Sequence, residues 1–313
     1  HKSVGESTKP YFDAIQLYVT DSDFKTRTLS IENIPNPERY TAIKGVMCKK
    51  DILALALYNE NADETDIYKV SAKGEILAEP DTLKGNPSIF ACGDGVVAWQ
   101  IEAAEEQSGV KITTLDFKTE PRIQYVKSDA SYAGFKVFSV DKEHYSVYER
   151  ALYGGWTSKK FLSLYDIGKE TPSWKTEVTT ASDAIGAAAQ NGKTLLFESS
   201  LGADQNNIAS TSSRYYDLQV STFDEKGNQI KKAEPVGQIR SGINSNISVK
   251  GSDAGIVVES LFTAPISPYL SENNDTECRD YLFMDTPVNT VKKISGRCAG
   301  SGVWQGDKYV IPS

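Results

Sequence analysis

One strongly apolar strand recurs six times along the chain at near-regular intervals, and this repetition constrains the fold more than any other feature. The runs are DILALALYNE from Asp51, GVVAWQIE from Gly95, EHYSVYERAL from Glu143, GKTLLFESSL from Gly192, DAGIVVESLF from Asp253 and the shorter DKYVIPS from Asp307. Their starts lie 44, 48, 49, 61 and 54 residues apart. Such a period marks one supersecondary unit that cannot bury its faces alone, so stacked neighbours must share the core. Within each unit a first strand and a tight polar turn precede the apolar run. A variable loop, a third strand, a short turn and a fourth strand follow. The third strands read TDIYKV, GVKITTLDF, KKFLSLYDI, SRYYDLQVSTF and RDYLFMD; the fourth read GEILAEP, RIQYV, SWKTEV, QIKKAEP and TVKKIS. Alternating strands punctuated by Gly, Asp and Asn, with no convincing amphipathic helix, predict an all-β chain.

The third-to-fourth hairpins LSLYDIGKETPSW (Leu162–Trp174), ITTLDFKTEPRI (Ile112–Ile123) and VSTFDEKGNQI (Val220–Ile230) resemble quinoprotein-like and WD-type repeats of the β-propeller superfamily. The resemblance implies a propeller; it implies neither a chemistry nor a quinone cofactor. The chain ends extend the pattern. DAIQLYVTD from Asp13 and TRTLSIEN from Thr26 supply only a third and a fourth strand, while Cys298 to Pro312 supply only a first and a second. Pairing them would close a ring and remove its exposed sheet edges. The expectation is a single six-bladed β-propeller domain over residues 1–313, with residues 1–10 a flexible leader. Seven blades are disfavoured because no four-strand block is left unassigned.

Composition excludes more than it assigns. The balance of 42 acidic against 34 basic residues, a net charge of −8, argues against a nucleic-acid or anionic-membrane partner, because phosphate contacts need clustered Lys and Arg. No apolar run is long enough to span a bilayer. There are two histidines, one of them His1, so any Ser-His-Asp, Cys-His or imidazole-rich metal site would rest on His144 alone. His144 sits in the polar sequence DKEH and reads as a surface turn residue. The chain begins His1-Lys2-Ser3 without Met, which fits a processed mature chain that is secreted, periplasmic or held at the cell surface. Four cysteines with no CxxC pair, Cys48, Cys92, Cys278 and Cys298, then read as two disulfides, with four buried free thiols as the alternative. Cys48 and Cys92 end first strands of neighbouring units. Cys278 starts a third strand and Cys298 a first, on the other face. Pairing Cys48 with Cys92 and Cys278 with Cys298 keeps each bond on one face.

Binding residues in repeat folds concentrate on loops. Two second-to-third loops are long, Ser199–Ser213 and Thr263–Arg279, and the preceding unit carries LYGGWTSK at Leu152–Lys159. The expected binding rim therefore comprises Tyr153, Trp156, Arg214, Tyr215, Tyr269 and Arg279, aromatic and Arg anchors for a protein or glycan partner. Glu149, Glu198 and Glu259 stand at matching places in three successive second strands, with Gln100 near the equivalent place in a fourth. They read first as solvated or turn-capping repeats, and only second as a metal or sugar site. No cofactor is implied; calcium is the one candidate, at Asp204, Asn206, Glu272, Asn273 and Asp275, which lack DxDxDG spacing. The expected function is a binding or scaffolding module more than an enzyme, a question the sequence leaves open. The alternative is a propeller hydrolase or lyase with a carboxylate- or calcium-based central site.

Overall fold

The computed structural model describes residues 15–20, 26–31, 33–49, 52–71, 73–92, 95–103, 108–116, 119–130, 132–153, 157–180, 182–201, 213–242, 247–252, 255–265, 275–284, 291–297, 303–305 and 308–310. Residues 1–10, the expected leader, lie outside them. The chain divides into two compact units, His1–Asp129 and Ala130–Ser313.

The first unit opens with a hairpin of β1 (Ile15–Thr20) and β2 (Thr26–Ile31). A 3-10 turn at Pro37–Arg39 leads into the sheet β3 (Ala42–Lys49), β4 (Ile52–Asn59), β5 (Glu64–Ser71) and β6 (Asp81–Lys84). A second sheet follows in β7 (Ser88–Cys92), β8 (Gly95–Ala103), β9 (Ser108–Leu115) and β10 (Arg122–Lys127). The first strands β3 and β7 are neighbours. Strand β4 shows why the second strands read as unbroken apolar runs: both of its faces are buried. Leu55 and Leu57 pack with Ile31, Ile34, Tyr40, Tyr68 and Val70, while the smaller Ala54 and Ala56 face Val96, Ala98 and Leu115 of the next sheet.

The second unit holds three sheets of the same order. They are β11 (Tyr132–Ser139), β12 (His144–Tyr153), β13 (Thr157–Asp166) and β14 (Trp174–Glu177); β15 (Asp183–Gln190), β16 (Lys193–Leu201), β17 (Ser213–Phe223) and β18 (Gln229–Gly242); and β19 (Ile247–Ser252), β20 (Gly255–Pro265), β21 (Asp275–Met284) and β22 (Val291–Arg297). A hairpin of β23 (Val303–Gln305) and β24 (Lys308–Val310) ends it. The first strands β11, β15, β19 and β23 lie successively side by side. Consecutive four-stranded antiparallel meanders with neighbouring first strands are propeller blades. The fold is a β-propeller.

Among the described residues it has five complete blades, where the sequence led us to expect six. The terminal hairpins β1–β2 and β23–β24 are each a two-stranded sheet of their own. Within each of them the strands pair through a turn, as the sequence led us to expect.

The Asp-turn hairpins that carry the propeller resemblance have a packing role. Asp224 accepts the backbone N–H groups of Lys226 and Asn228 at 2.9 and 2.8 Å, fixing a turn in which Gly227 adopts φ +81°. A Cβ there would come within 2.7 Å of the Trp174 ring of the preceding blade, which stacks on Phe223 at 5.8 Å. Gly227→Ala therefore combines left-handed strain with overpacking, and chemical denaturation is expected to show a loss of about 2 kcal/mol.

Candidate functional site

The ends of the second strands and the starts of the third define one edge of each blade. In the second unit that edge presents large apolar side chains to solvent. Leu152, next to last in β12, is 37% exposed; Leu201, last in β16, is 49% exposed; Tyr215, third in β17, is 42% exposed. These are the strand ends from which the expected binding loops spring. Of the expected anchors, Tyr153 closes β12 and is half-buried, opposite Thr157. Tyr215 has the Lys293 ammonium 5.7 Å from its ring centroid. Arg214 lies beside it in β17, opposite Ser241. Arg279 does not face outward: it donates to Glu259 at 2.7 Å, inside its own blade. Trp156 and Tyr269 lie outside the described residues, as do Cys298 and the proposed calcium ligands Asp204, Asn206, Glu272 and Asn273. Among the described residues no cluster of three His, Cys, Asp or Glu is placed to hold a metal.

The matched glutamates are not solvated. Glu149, Glu198 and Glu259 are 3%, 0% and 1% exposed. Carboxylates buried this deeply need partners, and each has its own. Glu149 accepts from Lys175 at 2.9 Å. Glu259 takes Lys250 on one oxygen and Arg279 on the other, both at 2.7 Å. Glu198 accepts from the hydroxyls of Thr180 and Ser221, the latter at 2.9 Å.

Several of these polar side chains reach the segment arriving from the preceding blade. Thr180 belongs to the β14–β15 connector, which Lys160 also grips through the carbonyls of Thr180 and Ser182 at 3.0 and 2.6 Å. Asp280 in β21 accepts the backbone N–H of Arg240, near the end of β18, at 3.1 Å. Asp66 in β5 holds Arg39 and Tyr40 ahead of β3 at 2.7 and 2.6 Å. Gln100 fills the same role sterically, packed against Gly85 of the β6–β7 connector, where a Cβ would meet its amide at 2.5 Å. Of the matched positions, Glu198 and Gln100 thus reach the connector from the preceding blade, while Glu149 and Glu259 tie strands within their own blades. The sequence signal was present: each Glu interrupts an apolar run whose two faces are both buried.

Burial pushes the Glu198 carboxyl above its ordinary value of 4.5, against the opposing pull of Thr180, Ser221 and Lys160, with Asp183 adding to the rise. The folded state therefore binds this proton more tightly than the unfolded chain. Its contribution to stability is full below the unfolded value and is lost as pH rises toward the folded one. Urea unfolding at a series of pH values is expected to show wild type losing ground to Glu198→Gln as pH climbs from 4.5 toward neutrality. A difference that stays flat with pH would overturn this.

His144 closes the β11–β12 turn between two carboxylates, with Nδ1 2.9 Å from Asp141 and Nε2 3.3 Å from Asp166. Both ring nitrogens are engaged, and Ser173 bonds to Asp166 instead of to the imidazole. The group is a turn brace and not a base poised on a nucleophile.

The cleft in the first unit was not anticipated. Sequence placed the fourth strand of the first complete blade at GEILAEP; the strand forms at Asp81–Lys84 instead. Segment 73–80 stays on β5 through the Val70–Ile76 bridge and through two backbone bonds at 2.9 Å, the Leu77 N–H to the Lys69 carbonyl and the Ser71 N–H to the Glu75 carbonyl. Gly74 at φ +88° turns the chain there, and Pro80 has no N–H to give a ladder. The bowed segment walls a cleft of about 800 Å³ with Asn33, Arg39, Tyr68, Lys73, Glu75 and Leu77. Beneath it the buried Asp66 accepts from Arg39, Tyr40 and Thr82, and the Tyr40 and Tyr68 hydroxyls meet at 3.2 Å. Burial and the Asp66 hydrogen bond hold the Tyr40 phenol well above its ordinary value, keeping it a donor. The described lining includes no serine, cysteine or histidine.

No known family's sequence profile matches the chain, and no curated protein matches it by sequence. In three dimensions it is similar to the β-propeller domain of the Trilobed protease from Pyrococcus furiosus. That domain is 13% identical, with 87% of this chain and 78% of that one covered and a TM-score of 0.49. An uncharacterized protein from Listeria monocytogenes is 12% identical over 94% of this chain and 85% of its own, with a TM-score of 0.45. The acylaminoacyl peptidase of Pyrococcus horikoshii is 12% identical over 86% and 47%, with a TM-score of 0.44. The likeness is one of fold alone.

Proposed function

We propose that the chain is an exported binding propeller that holds a protein or glycan partner on the long-loop edge of its second unit. The observation that carries this reading is the exposure of Leu152, Leu201 and Tyr215 at the strand ends flanking those loops. Apolar side chains left in solvent beside loops serve recognition better than stability. The buried carboxylates support the same reading over a hydrolase or lyase, because Glu149 and Glu259 are bound to cations and Glu198 to hydroxyls. Tyr153, Tyr215 and Arg214, with Trp156 and Tyr269 on the loops, are the proposed anchors. Glycan-array and peptide-array binding that Leu201→Ser/Tyr215→Ser abolishes, at unchanged melting temperature, is the expected result. Turnover of a glycan or peptide ester that survives this variant would replace binding with catalysis.

The same reading includes two disulfides in a single closed propeller domain. Cys48 lies next to last in β3 and Cys92 is last in the neighbouring β7, which supports their pairing. Cys278 is buried, one residue before Arg279, and Arg279 is the register partner of Arg297. Cys298 follows Arg297 in the sequence, so the ladder carried one step further would set the two cysteines opposite each other. Non-reducing peptide mapping is expected to return Cys48–Cys92 and Cys278–Cys298; any crossed pair would sink the face assignment. Calcium on the long loops is tested by thermal shift with calcium and with chelator, where no change in either direction removes it.

A further inference from the structure

The five outer strands serve as controls for one another, and one of them lacks the protection the others carry. A free sheet edge invites pairing with another chain, and natural edges are blunted by shortness, proline, lysine or bulges. Strands β6 and β14 have four residues each, and Trp174 of β14 is turned inward. Strand β18 carries Lys231, Lys232 and Pro235 and three register shifts against β17. Strand β22 carries Lys292 and Lys293 and one shift against β21. Strand β10, RIQYVK, has none of these in its interior. It pairs with β9 without a shift from Arg122–Thr114 to Lys127–Gly109, and no further strand covers it among the described residues. Ile123 and Tyr125, two residues apart and so on one face, are 50% and 56% exposed.

The ends of the strand say what would cover it. Arg122 and Lys127 are exposed and stand opposite the uncharged Thr114 and Gly109, with no ion pair among the described residues. A second copy of β10 in full antiparallel overlap would set Arg122 against Lys127, a like-charge pair that disfavours it. We propose that the edge of β10 docks an extended segment of a partner protein, with apolar residues at alternate positions and carboxylates at both ends. The partner strand would complete the ladder through backbone hydrogen bonds, while its alternate side chains cover Ile123 and Tyr125.

The test uses the whole chain and two blocked synthetic peptides of alternating valine and threonine, one flanked by aspartates and one by lysines. The aspartate peptide is expected to protect the amides of residues 122–127 from hydrogen exchange. Tyr125→Lys is expected to weaken its binding roughly tenfold, and the control Ile230→Lys in β18 to leave it unchanged. Arg122→Glu/Lys127→Glu should exchange the preference for the lysine peptide. Equal binding of both peptides to wild type, no binding of either, or insensitivity to Tyr125→Lys would each overturn the proposal. So would self-association through β10, detected by sedimentation and abolished by Tyr125→Lys, which would make a second copy the occupant.

Discussion

Glu259→Ala is expected to lower the unfolding free energy by about 3–5 kcal/mol, the range for removing one partner from a buried ion pair. Two cations converge on this carboxylate, Lys250 on one oxygen and Arg279 on the other, each at 2.7 Å. Glu259 is 1% exposed, whereas the Lys250 and Arg279 side chains are 29% and 21% exposed. Removing the acid takes a shared acceptor from two partly buried cations of one blade, Lys250 of β19 and Arg279 of β21. Removing Lys250 alone leaves Glu259 still paired with Arg279, so Lys250→Met should cost clearly less. Urea unfolding of the two variants gives the comparison. Equal losses would mean that Arg279 does not hold Glu259 unaided. Because Arg279 is bound in this way, Arg279→Ala should also act on stability before it acts on any partner.

Asp66→Ala is expected to cost about 3 kcal/mol, the sum of hydroxyl and guanidinium donors left without their acceptor in a buried site. The carboxylate receives Arg39 at 2.7 Å and Tyr40 and Thr82 at 2.6 Å each. Tyr40 is fully buried, so its hydroxyl cannot turn to water when the acceptor is gone. The damage should be local as well as global. Arg39 and Tyr40 precede β3, and Asp66 holds that segment in place. Hydrogen exchange is expected to rise first at residues 39–45 and at the wall of the cleft. Tyr40→Phe removes one donor and leaves the carboxylate its other two, so its loss should stay near 1 kcal/mol. If Tyr40→Phe proves as costly as Asp66→Ala, the phenol and not the carboxylate is the centre of the network.

Much of the architecture is legible from residue order, and particular strands show why. The runs at Asp51, Gly95, Glu143, Gly192 and Asp253 all became second strands, because an apolar stretch bounded by turns and buried on both faces has few other places to go. The fourth strand of the first complete blade was displaced from GEILAEP to Asp81–Lys84. There the apolar pattern was right for a strand, but pairing with β5 covers Glu75–Leu77 and lapses before Pro80, which has no N–H to give. The cleft was illegible for the same reason: it exists because a segment with strand-like sequence bows away from β5.

What the sequence determined by itself is the all-β character, the four-strand unit and the order of strands within it. These follow from local alternation and turn chemistry, which depend on neighbours a few residues away. Only the tertiary structure decided the fate of the charged residues. Glu149, Glu198 and Glu259 look like solvated repeats until Lys175, Thr180 with Ser221, and Lys250 with Arg279 are brought to them from other strands and connectors. It also decided that the terminal hairpins stand as separate two-stranded sheets. A buried carboxylate's partners and a strand's second neighbour are set by contacts distant in sequence, and residue spacing carries no record of them.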